Sequence, residues 1–363
     1  MNFKKNLSLI SKLPPNWSAY YFGWPKLLPV NLTINFTYSC NSRCLTCNVW
    51  RERVKELSLE EWKKIFKKIG PTPYWLTISG GEPFLRKNLA ELAKAAHQYL
   101  RPAVINIPTN GLLYQIIPQE VEKILKRCPD SEIVINFSLD GIGKDHDRIR
   151  NIPGNFEKLL KSYQSVKKLK KKYCRLTVGF HTVISKYNVS KIPEICDFVL
   201  SLEPDQYITE IAEERVELGT IGRSISPSLK DYSRAIDYVS KMVARRKFYG
   251  LAKITEALRL EYYRLVKIIL REKTQVVPCY AGLASAQISA DGEVWPCCVR
   301  ADNLGNLADH DYDFAQVWFG ERAKTVRKSI KNKECYCPLA NASYTNILLN
   351  PKILAKVIFN LVK

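Results

Sequence analysis

Three cysteines near the start of the sequence have a spacing that suits metal binding. Cys40, Cys44 and Cys47 form a C-x3-C-x2-C pattern directly after an apolar, β-branched segment at 30–37. Three thiolates on one short loop can hold three irons of a cubane cluster and leave the fourth iron open to an outside ligand. A structural zinc site is the alternative, but it usually closes with a fourth Cys or His nearby, and the first His is His97. The spacing therefore favours an iron–sulfur cluster with one open iron.

A glycine-rich motif follows the cysteines after one predicted helix and one predicted strand. Gly80, Gly81, Glu82 and Pro83 come at the end of an apolar run at 74–78. The two glycines let the main chain approach a ligand closely, and a carboxylate or carbonyl here can accept hydrogen bonds from an ammonium group. Taken alone, the motif is equally consistent with an ordinary turn.

The cysteine loop and the Gly-Gly-Glu-Pro motif, in this order, resemble the radical S-adenosylmethionine (SAM) superfamily of enzymes. The resemblance implies that the open iron of a 4Fe-4S cluster chelates SAM, and that an electron from the cluster cleaves SAM to a 5′-deoxyadenosyl radical. It also implies that Gly80, Gly81, Glu82 and Pro83 bind SAM, and that a donor such as a ferredoxin or flavodoxin reduces the cluster.

Extended and helical patterns alternate along the first two thirds of the chain. Such alternation indicates βα units around a parallel sheet. Six units fit the open, partial (β/α)6 TIM-like barrel that the resemblance implies, so the predicted fold class is α/β. The extended segments lie near 32–37, 74–79, 103–108, 132–138, 175–183 and 206–212, and the helices near 58–69, 88–99, 117–127, 154–172 and 188–201.

Polar side chains follow several of the predicted strands. In barrels of this kind the functional residues gather at the carboxyl ends of the strands. The resemblance implies that Asn110, Ser138 and Asp140 contact SAM or the substrate. It also implies that Arg150, in preference to Arg148, pairs with the SAM carboxylate through a bidentate fork. A turn-forming or solvated role is the alternative for each residue.

Carboxylates at strand ends are candidates for a base that takes a proton from the oxidised substrate. Asp140 follows the fourth predicted strand, and Glu210 and Glu213 lie at the end of the sixth. Position is the only basis for this prediction. We expect Asp140 and Glu213 to be catalytic together with the three cysteines of the first loop.

A second group of cysteines lies in the last third of the chain. Asp291 and Gly292, between alternating apolar residues, predict a β-hairpin flanked by Cys279 and Cys297. The arrangement resembles the SPASM and twitch extensions of radical SAM enzymes and implies one auxiliary 4Fe-4S cluster in a small α+β domain. Cys298 is a candidate to replace a neighbouring ligand, and a four-thiolate zinc site is the alternative. The expected ligands are Cys279, Cys297, Cys335 and Cys337, the last two in a C-x-C pattern where C-x2-C is usual.

The composition predicts a globular and strongly basic protein. Of the 363 residues, 46% are hydrophobic, and 56 Lys and Arg against 35 Asp and Glu give a net charge of +21. Such a charge attracts phosphates, nucleic acid or an anionic membrane without naming a partner. No apolar run reaches the roughly 20 residues that a spanning helix needs, and no secretory signal is recognisable. We therefore expect a cytoplasmic protein.

Two basic segments at 1–29 and 351–363 lie outside the motifs. The first combines four lysines and an aromatic run with no acidic residue, and the second is amphipathic. Both suit peripheral contact with an anionic membrane, and both suit packing on a core. The predicted domains are thus a basic, aromatic extension at 1–29, the barrel at 30–250, an auxiliary-cluster domain at 251–350 and an amphipathic helix at 351–363.

Three hypotheses about the substrate follow. In the first, a membrane-peripheral enzyme acts on a lipid or lipid-linked sugar. In the second, the enzyme modifies a peptide or protein. In the third, the chain binds nucleic acid and its metal sites are structural, but no RNA- or DNA-reading motif is recognisable, so we expect no nucleic acid partner.

Overall fold

Six parallel strands form the centre of the molecule, as the alternating pattern predicted. The computed structural model describes residues 3–245 and 251–362. The strands are β1 (Asn31–Thr37), β2 (Trp75–Gly80), β3 (Val104–Thr109), β4 (Glu132–Ser138), β5 (Leu176–Ile184) and β6 (Gln206–Ile211). They pair in sequence order, and each neighbouring pair is parallel. The partial barrel is therefore confirmed.

A first helix lies at the end of the barrel where the strands begin. This helix, α1 (Phe3–Phe22), includes Pro14 and Pro15. Its Leu9 packs in an apolar cluster with Tyr74 and with residues near the starts of β3 and β4. The sequence pattern did not indicate this helix, because consecutive prolines remove main-chain donors and usually end a helix.

Helices follow the strands and bury apolar faces against the sheet. At the start of α2 (Leu59–Ile69), the Ser58 hydroxyl accepts from the Glu61 main-chain N–H and the Glu61 carboxylate accepts from the Ser58 N–H, which forms a capping box. Trp62 and Phe66 on the same helix are buried. The next helices are α3 (Leu89–Leu100), α4 (Ile117–Arg127), α5 (Lys144–Arg150), α6 (Asn155–Leu169), α7 (Ile192–Ser201) and α8 (Leu229–Ala244).

The predicted hairpin is present and extends the barrel sheet. Strands β7 (Ser285–Ile288) and β8 (Val294–Trp295) pair antiparallel, and Gly292 in their turn has φ 94°. Strand β7 also pairs parallel with β1, with Asn31 opposite Ser285. The described residues therefore form one eight-stranded sheet that ends in β8.

Helices from the last third of the chain link the two sides of the open barrel. They are α9 (Leu251–Glu272), α10 (Phe314–Trp318), α11 (Glu321–Lys331), α12 (Ala340–Leu348) and α13 (Pro351–Val362). Helix α9 reaches β6, where Thr209 Oγ1 lies 2.9 Å from Tyr263 Oη. Helix α12 packs on α9 and reaches β1, where Asn341 Nδ2 donates to Thr33 Oγ1 at 3.0 Å. Among the described helices, none combines the length and apolar character needed to cross a membrane.

A row of amide side chains crosses the inside of the barrel. Gln206 Nε2 donates to Asn136 Oδ1 at 2.9 Å, and Asn136 Nδ2 donates to Asn106 Oδ1 at 2.8 Å. Gly179 on β5 leaves the space for this row, since a Cβ there would lie 2.5 Å from Gln206 Cγ. Amides suit such a chain because each one both donates and accepts. We call Gln206, Asn136 and Asn106 the amide row.

Candidate active site

The cysteine loop after β1 is seated directly on the Gly-Gly-Glu-Pro motif. Gly81 N donates to Thr37 O at 2.7 Å, and Glu82 N donates to Ser39 O at 2.9 Å. A Cβ at Gly80 would lie 2.0 Å from Thr37 O, and one at Gly81 would lie 2.2 Å from Ser39 O. The glycines are therefore required by the approach of the chain's own cysteine loop.

Helix α5 holds the other side of the cysteine loop. Arg43 N donates to Arg150 O at 3.1 Å, and Leu45 N donates to Ile149 O at 2.9 Å. The Arg150 guanidinium contacts Cys44 Sγ at 3.7 Å. Burial raises the pKa of the Cys44 thiol, and the charge of Arg150 opposes that shift. Arg150 therefore favours the thiolate form that binds iron.

Glu82 fixes the end of β3 with its carboxylate. The carboxylate accepts from Thr109 Oγ1 at 2.8 Å, from Asn110 N at 2.8 Å and from Phe84 N at 3.2 Å. Burial raises the pKa of Glu82 to about 7. Asn110 Nδ2 in turn donates to Asn41 Oδ1 at 2.7 Å. Glu82 therefore connects β2, β3 and the cysteine loop.

Asp140 is enclosed by partners from two elements, β5 and α5. One carboxylate oxygen accepts from Val183 N at 2.9 Å, and the other lies 2.7 Å from Arg150 Nη2. Asp140 N donates to His146 Nδ1 at 3.2 Å. The Nε2 atom of His146 lies 3.2 Å from Asn155 Oδ1, which makes Nε2–H the donor. Burial and the charge of Arg150 lower the pKa of His146 to about 4, so this ring is neutral.

The strand ends line a cavity of about 190 Å³ that opens to solvent. The structure thus brings the predicted residues of the first loop and of the ends of four strands together around one space. Pro83 does not line it, because this residue is buried at the start of a 3-10 helix, Pro83–Leu85. The lining includes Cys40, Cys44, Cys47, Gly80, Gly81, Glu82, Asn110, Ser138, Asp140, Arg150, Glu210, Glu213 and Arg215.

Glu213 lies in the cavity wall, and the hydrogen-bonding capacity of its carboxylate is not filled by neighbouring residues. Within the described residues, neither carboxylate oxygen of Glu213 has a hydrogen-bond partner, although Arg215 Nε lies 3.4 Å from one of them. Burial raises the pKa of Glu213 to about 7 against the pull of Arg215. Arg215 also lies 3.6 Å from a carboxylate oxygen of Glu210 and 3.9 Å from Cys298 Sγ. Sequence reasoning missed Arg215, whose only signal was its place just beyond β6.

The predicted auxiliary ligands come together outside this cavity. Burial first, then the neighbouring charges of Cys297 and Cys335, raise the pKa of Cys279 to about 12. Burial likewise raises the pKa of Cys337, with contributions from Cys297 and Cys279. Cys298 packs with Cys297 and Cys337 and also lies 3.9 Å from Arg215, so the choice of Cys279, Cys297, Cys335 and Cys337 as the four-thiolate set stays a prediction.

One short segment after β6 links the two cysteine groups. We call residues 213–219 the bridge segment. Asn48 N, next to Cys47, donates to Leu218 O at 2.8 Å. Val216 N donates to Val299 O at 3.2 Å, close to Cys298. Glu213 and Arg215 are therefore held between the first loop and the second group.

Comparison with known families agrees with this architecture. The radical SAM superfamily model matches residues 34–199, and the model of an iron–sulfur cluster-binding domain, SPASM, matches residues 279–338. Fold and site thus define a radical SAM enzyme with a SPASM domain, and the chain belongs to the radical SAM superfamily. Its cofactors are accordingly SAM, the 4Fe-4S cluster that binds SAM, and iron–sulfur in the auxiliary SPASM domain.

Individual relatives and solved structures differ in what they act on. Fe-coproporphyrin III synthase of Methanosarcina barkeri is 28% identical over 83% of this chain and 76% of its own length. The sporulation killing factor maturation protein SkfB of Bacillus subtilis is 22% identical over 85% of this chain and 69% of its own. Streptococcus suis SuiB bound to its precursor peptide SuiA has a TM-score of 0.61 at 18% identity, covering 89% of this chain and 71% of SuiB. At that identity the structural likeness shows the fold.

The residues present fit the cofactors that the family implies. Three thiols line one wall of the cavity, beside the main chain of Gly80 and Gly81 and polar groups from the other strand ends. Three thiols from one loop would leave one iron of a cubane cluster open, and the four thiols predicted for the auxiliary site would ligate a second cluster fully.

Proposed function

We propose that this enzyme oxidises a peptide or protein substrate bound in the cavity between the two cysteine groups. The observation that carries the proposal is Glu213, a buried carboxylate that lines the cavity and, within the described chain, has no hydrogen-bond partner on either oxygen. Apart from the ion pair with Arg215 Nε at 3.4 Å, these oxygens are unsatisfied, and a buried acceptor left unsatisfied is costly, which favours a ligand at this position. When bound, SAM and its cluster supply a radical that removes one substrate hydrogen atom, and the auxiliary cluster supplies an electron acceptor.

The chain's own residues then have separate tasks. Cys40, Cys44 and Cys47 hold the first cluster, and Cys279, Cys297, Cys335 and Cys337 hold the second. Gly80, Gly81, Asn110 and Ser138 contact SAM, and Arg150 orients the first loop and the SAM carboxylate. Glu82 and Asp140 position these groups, because the chain itself engages both carboxylates.

Glu213 takes the proton in this scheme. In a two-electron oxidation the substrate would give up one hydrogen atom, one proton and one electron; Glu213 would accept the proton, and the bound cofactors would accept the hydrogen atom and the electron. Asp140 is less suited to this task, since Arg150 and Val183 occupy its two oxygens. A carboxylate with raised pKa accepts a proton readily near neutral pH.

The charges in the cavity favour a peptide over a tetrapyrrole. A coproporphyrin carries four carboxylates and requires free cations, whereas the two arginines in the cavity wall already face acids. Arg150 lies against Asp140, and Arg215 lies near Glu210 and Glu213. The relationship to SkfB, a maturation protein, supports the same choice. A ferredoxin or flavodoxin is the proposed electron donor.

Anaerobic assays test the reaction. Wild type should hold about eight irons per chain, as two cubane clusters require, and should release 5′-deoxyadenosine with dithionite and SAM. A Cys40→Ala/Cys44→Ala/Cys47→Ala variant should keep only the auxiliary iron and release none. Zinc in place of iron, with SAM intact, would contradict the cofactor assignment for this chain.

Glu213→Gln tests the proposed base. Co-expressed peptides encoded beside the gene are analysed by mass spectrometry for loss of two hydrogens. The variant should keep iron and SAM cleavage but form product at least about 100-fold more slowly, the usual contribution of a general base. Glu210→Gln is the matched control. Product formed by Glu213→Gln at the wild-type rate refutes the base, and an unmodified peptide set refutes the substrate class.

A further inference from the structure

An exposed group of aromatic side chains lies at the end of α1, outside the proposed reaction. Helix α1 ends at Phe22, and Gly23 follows in the left-handed region with φ 75°, its N–H donating to Ala19 O at 3.1 Å. This is a common way to end a helix. Phe22 is 84% exposed, Trp24 is 73% exposed and Tyr21 is 51% exposed. We call Tyr21, Phe22 and Trp24 the aromatic patch.

The helix that carries the aromatic patch is packed on the rest of the protein. The other face of α1 packs Leu13 and Tyr20 in one cluster with Tyr280 and Leu349, and the rings of Tyr20 and Tyr280 lie 4.6 Å apart. The loop beyond the helix is also held, since a serine hydroxyl on α1 donates to Trp24 O at 2.5 Å. The aromatic patch is therefore exposed on a helix and a loop that are both held in place by contacts with the rest of the protein.

Basic side chains flank the aromatic patch. Lys331 at the end of α11 donates to Tyr20 O at 2.9 Å, and its Nζ lies 5.4 Å from the Tyr20 ring centroid. Lys26 follows Trp24 by two residues, and Lys328 is exposed on the same helix as Lys331. No acidic residue precedes position 52 of the sequence. Lys26 and Lys331 thus form a positive edge beside the apolar centre of the patch, and Lys328 lies about one helical turn from Lys331.

Helix α13 packs against the same apolar cluster as α1. Its Leu354 packs in the same cluster as Leu13 and Leu349, and its Val357 is buried. Lys356 lies 3.7 Å from a carboxylate oxygen of Glu261 on α9. Leu354 and Val357 of α13 are therefore packed on the protein, whereas the aromatic patch is exposed.

We propose that the aromatic patch inserts into the interface of an anionic lipid bilayer while Lys26, Lys328 and Lys331 contact the headgroups. Aromatic rings favour the boundary between headgroups and acyl chains, and lysines favour anionic headgroups. A protein partner is the other possible occupant, and the positive edge favours the membrane. The binding is independent of the proposed reaction, because none of these residues lines the cavity.

Vesicle binding by the anaerobically purified holoenzyme tests the proposal. Wild type should sediment with vesicles that contain phosphatidylglycerol and remain free with pure phosphatidylcholine. Phe22→Ser/Trp24→Ser should weaken binding at least about tenfold, from the apolar area that no longer inserts. Lys26→Gln/Lys328→Gln should weaken it by about fivefold per lysine.

Matched variants separate this surface from general charge and exposure. Ile116→Ser/Ile221→Ser removes two other exposed apolar side chains, and Lys158→Gln/Lys168→Gln removes two lysines of α6. Both should bind as wild type does. The blue shift of tryptophan emission on vesicle addition should be smaller in Trp24→Phe. No binding to anionic vesicles, or equal loss in the matched variants, overturns the proposal. Iron content and SAM cleavage, measured in parallel, report separately on the reaction.

Discussion

At the scale of single residues, the site depends on how closely the chain approaches itself. Gly80 and Gly81 admit the cysteine loop where any side chain would overlap its main-chain oxygens. Asp140, His146 and Arg150 form a buried group whose members hold one another and the loop. These residues affect the cofactor site mainly because they determine where the three cysteines lie.

Gly81→Ala should displace the cysteine loop. Its Cβ would lie 2.2 Å from Ser39 O, a main-chain atom that cannot yield without moving the loop. We expect the variant to lose about half of the wild-type iron, because only the auxiliary site stays intact. Iron quantitation and SAM cleavage measure the effect. Gly320→Ala, whose Cβ would lie 3.2 Å from its nearest neighbour, is the control. Full iron content in Gly81→Ala contradicts the prediction.

His146 should make the protein sensitive to mild acid. Burial and Arg150 lower its pKa from 6.5 to about 4, so between these values the unfolded chain binds a proton that the native chain does not. The stability contributed by neutral His146 is complete above about pH 6.5 and declines as the pH falls toward 4. From pH 7.5 to pH 5 the loss should be about 2 kcal/mol.

Urea unfolding at the two pH values, under anaerobic conditions, measures this loss. His146→Gln should lack this part of the pH dependence, whereas His310→Gln, which leaves His146 in place, should retain it. Equal pH dependence in wild type and His146→Gln would show that another group is responsible.

At the scale of elements, the predicted strands agree with the structure to within one or two residues. Each is a short, β-branched segment bounded by polar residues, so its pattern is local. Helix α1 was missed because of its two prolines, and α5 because its seven residues are too few for a periodic pattern.

The site was predictable where its signal was local. The first three cysteines are recognised by their spacing, and the Gly-Gly-Glu-Pro motif by its place after them in the sequence. The contact of Arg215 with Cys298 joins positions 83 residues apart, and the three partners of Glu82 depend on how β2 and β3 meet. Such contacts follow from the tertiary fold and have no trace in the spacing of one sequence.

The hydrogen bonds of the amide row should contribute to the free energy of unfolding of the barrel. Asn136→Ala leaves Asn106 Oδ1 and Gln206 Nε2 without this partner inside the barrel. Buried polar groups that lose their partner are costly, so the free energy of unfolding should fall by about 2 kcal/mol. The urea midpoint measures the change. Asn332→Ala, at an exposed position, should change the free energy by less than about 0.5 kcal/mol. Equal effects of the two substitutions contradict the role of the row.

At the scale of the whole molecule, the barrel and the auxiliary region share structure. Strand β7 pairs with β1, and α12 bonds to β1 through Asn341. The bridge segment bonds to the main chain beside Cys298. The two functional regions are thus adjacent parts of one sheet and its covering helices.

A chain that ends at residue 250 should therefore fail to fold as a stable monomer. Removal of β7 exposes the edge of β1, and removal of α9 and α12 uncovers apolar residues beside the open side of the barrel. We expect the truncated chain to aggregate or to remain unfolded by circular dichroism and sedimentation velocity. The full chain is the control. A soluble monomer that binds four irons would show that the barrel is independent.

The cysteine loop is held by main-chain bonds to Gly81, Glu82, Ile149 and Arg150, none of which requires a metal. The conformation that receives the first cluster is therefore encoded in the polypeptide itself. We therefore expect that iron and sulfide, supplied under reducing conditions, restore the first cluster without refolding of the chain.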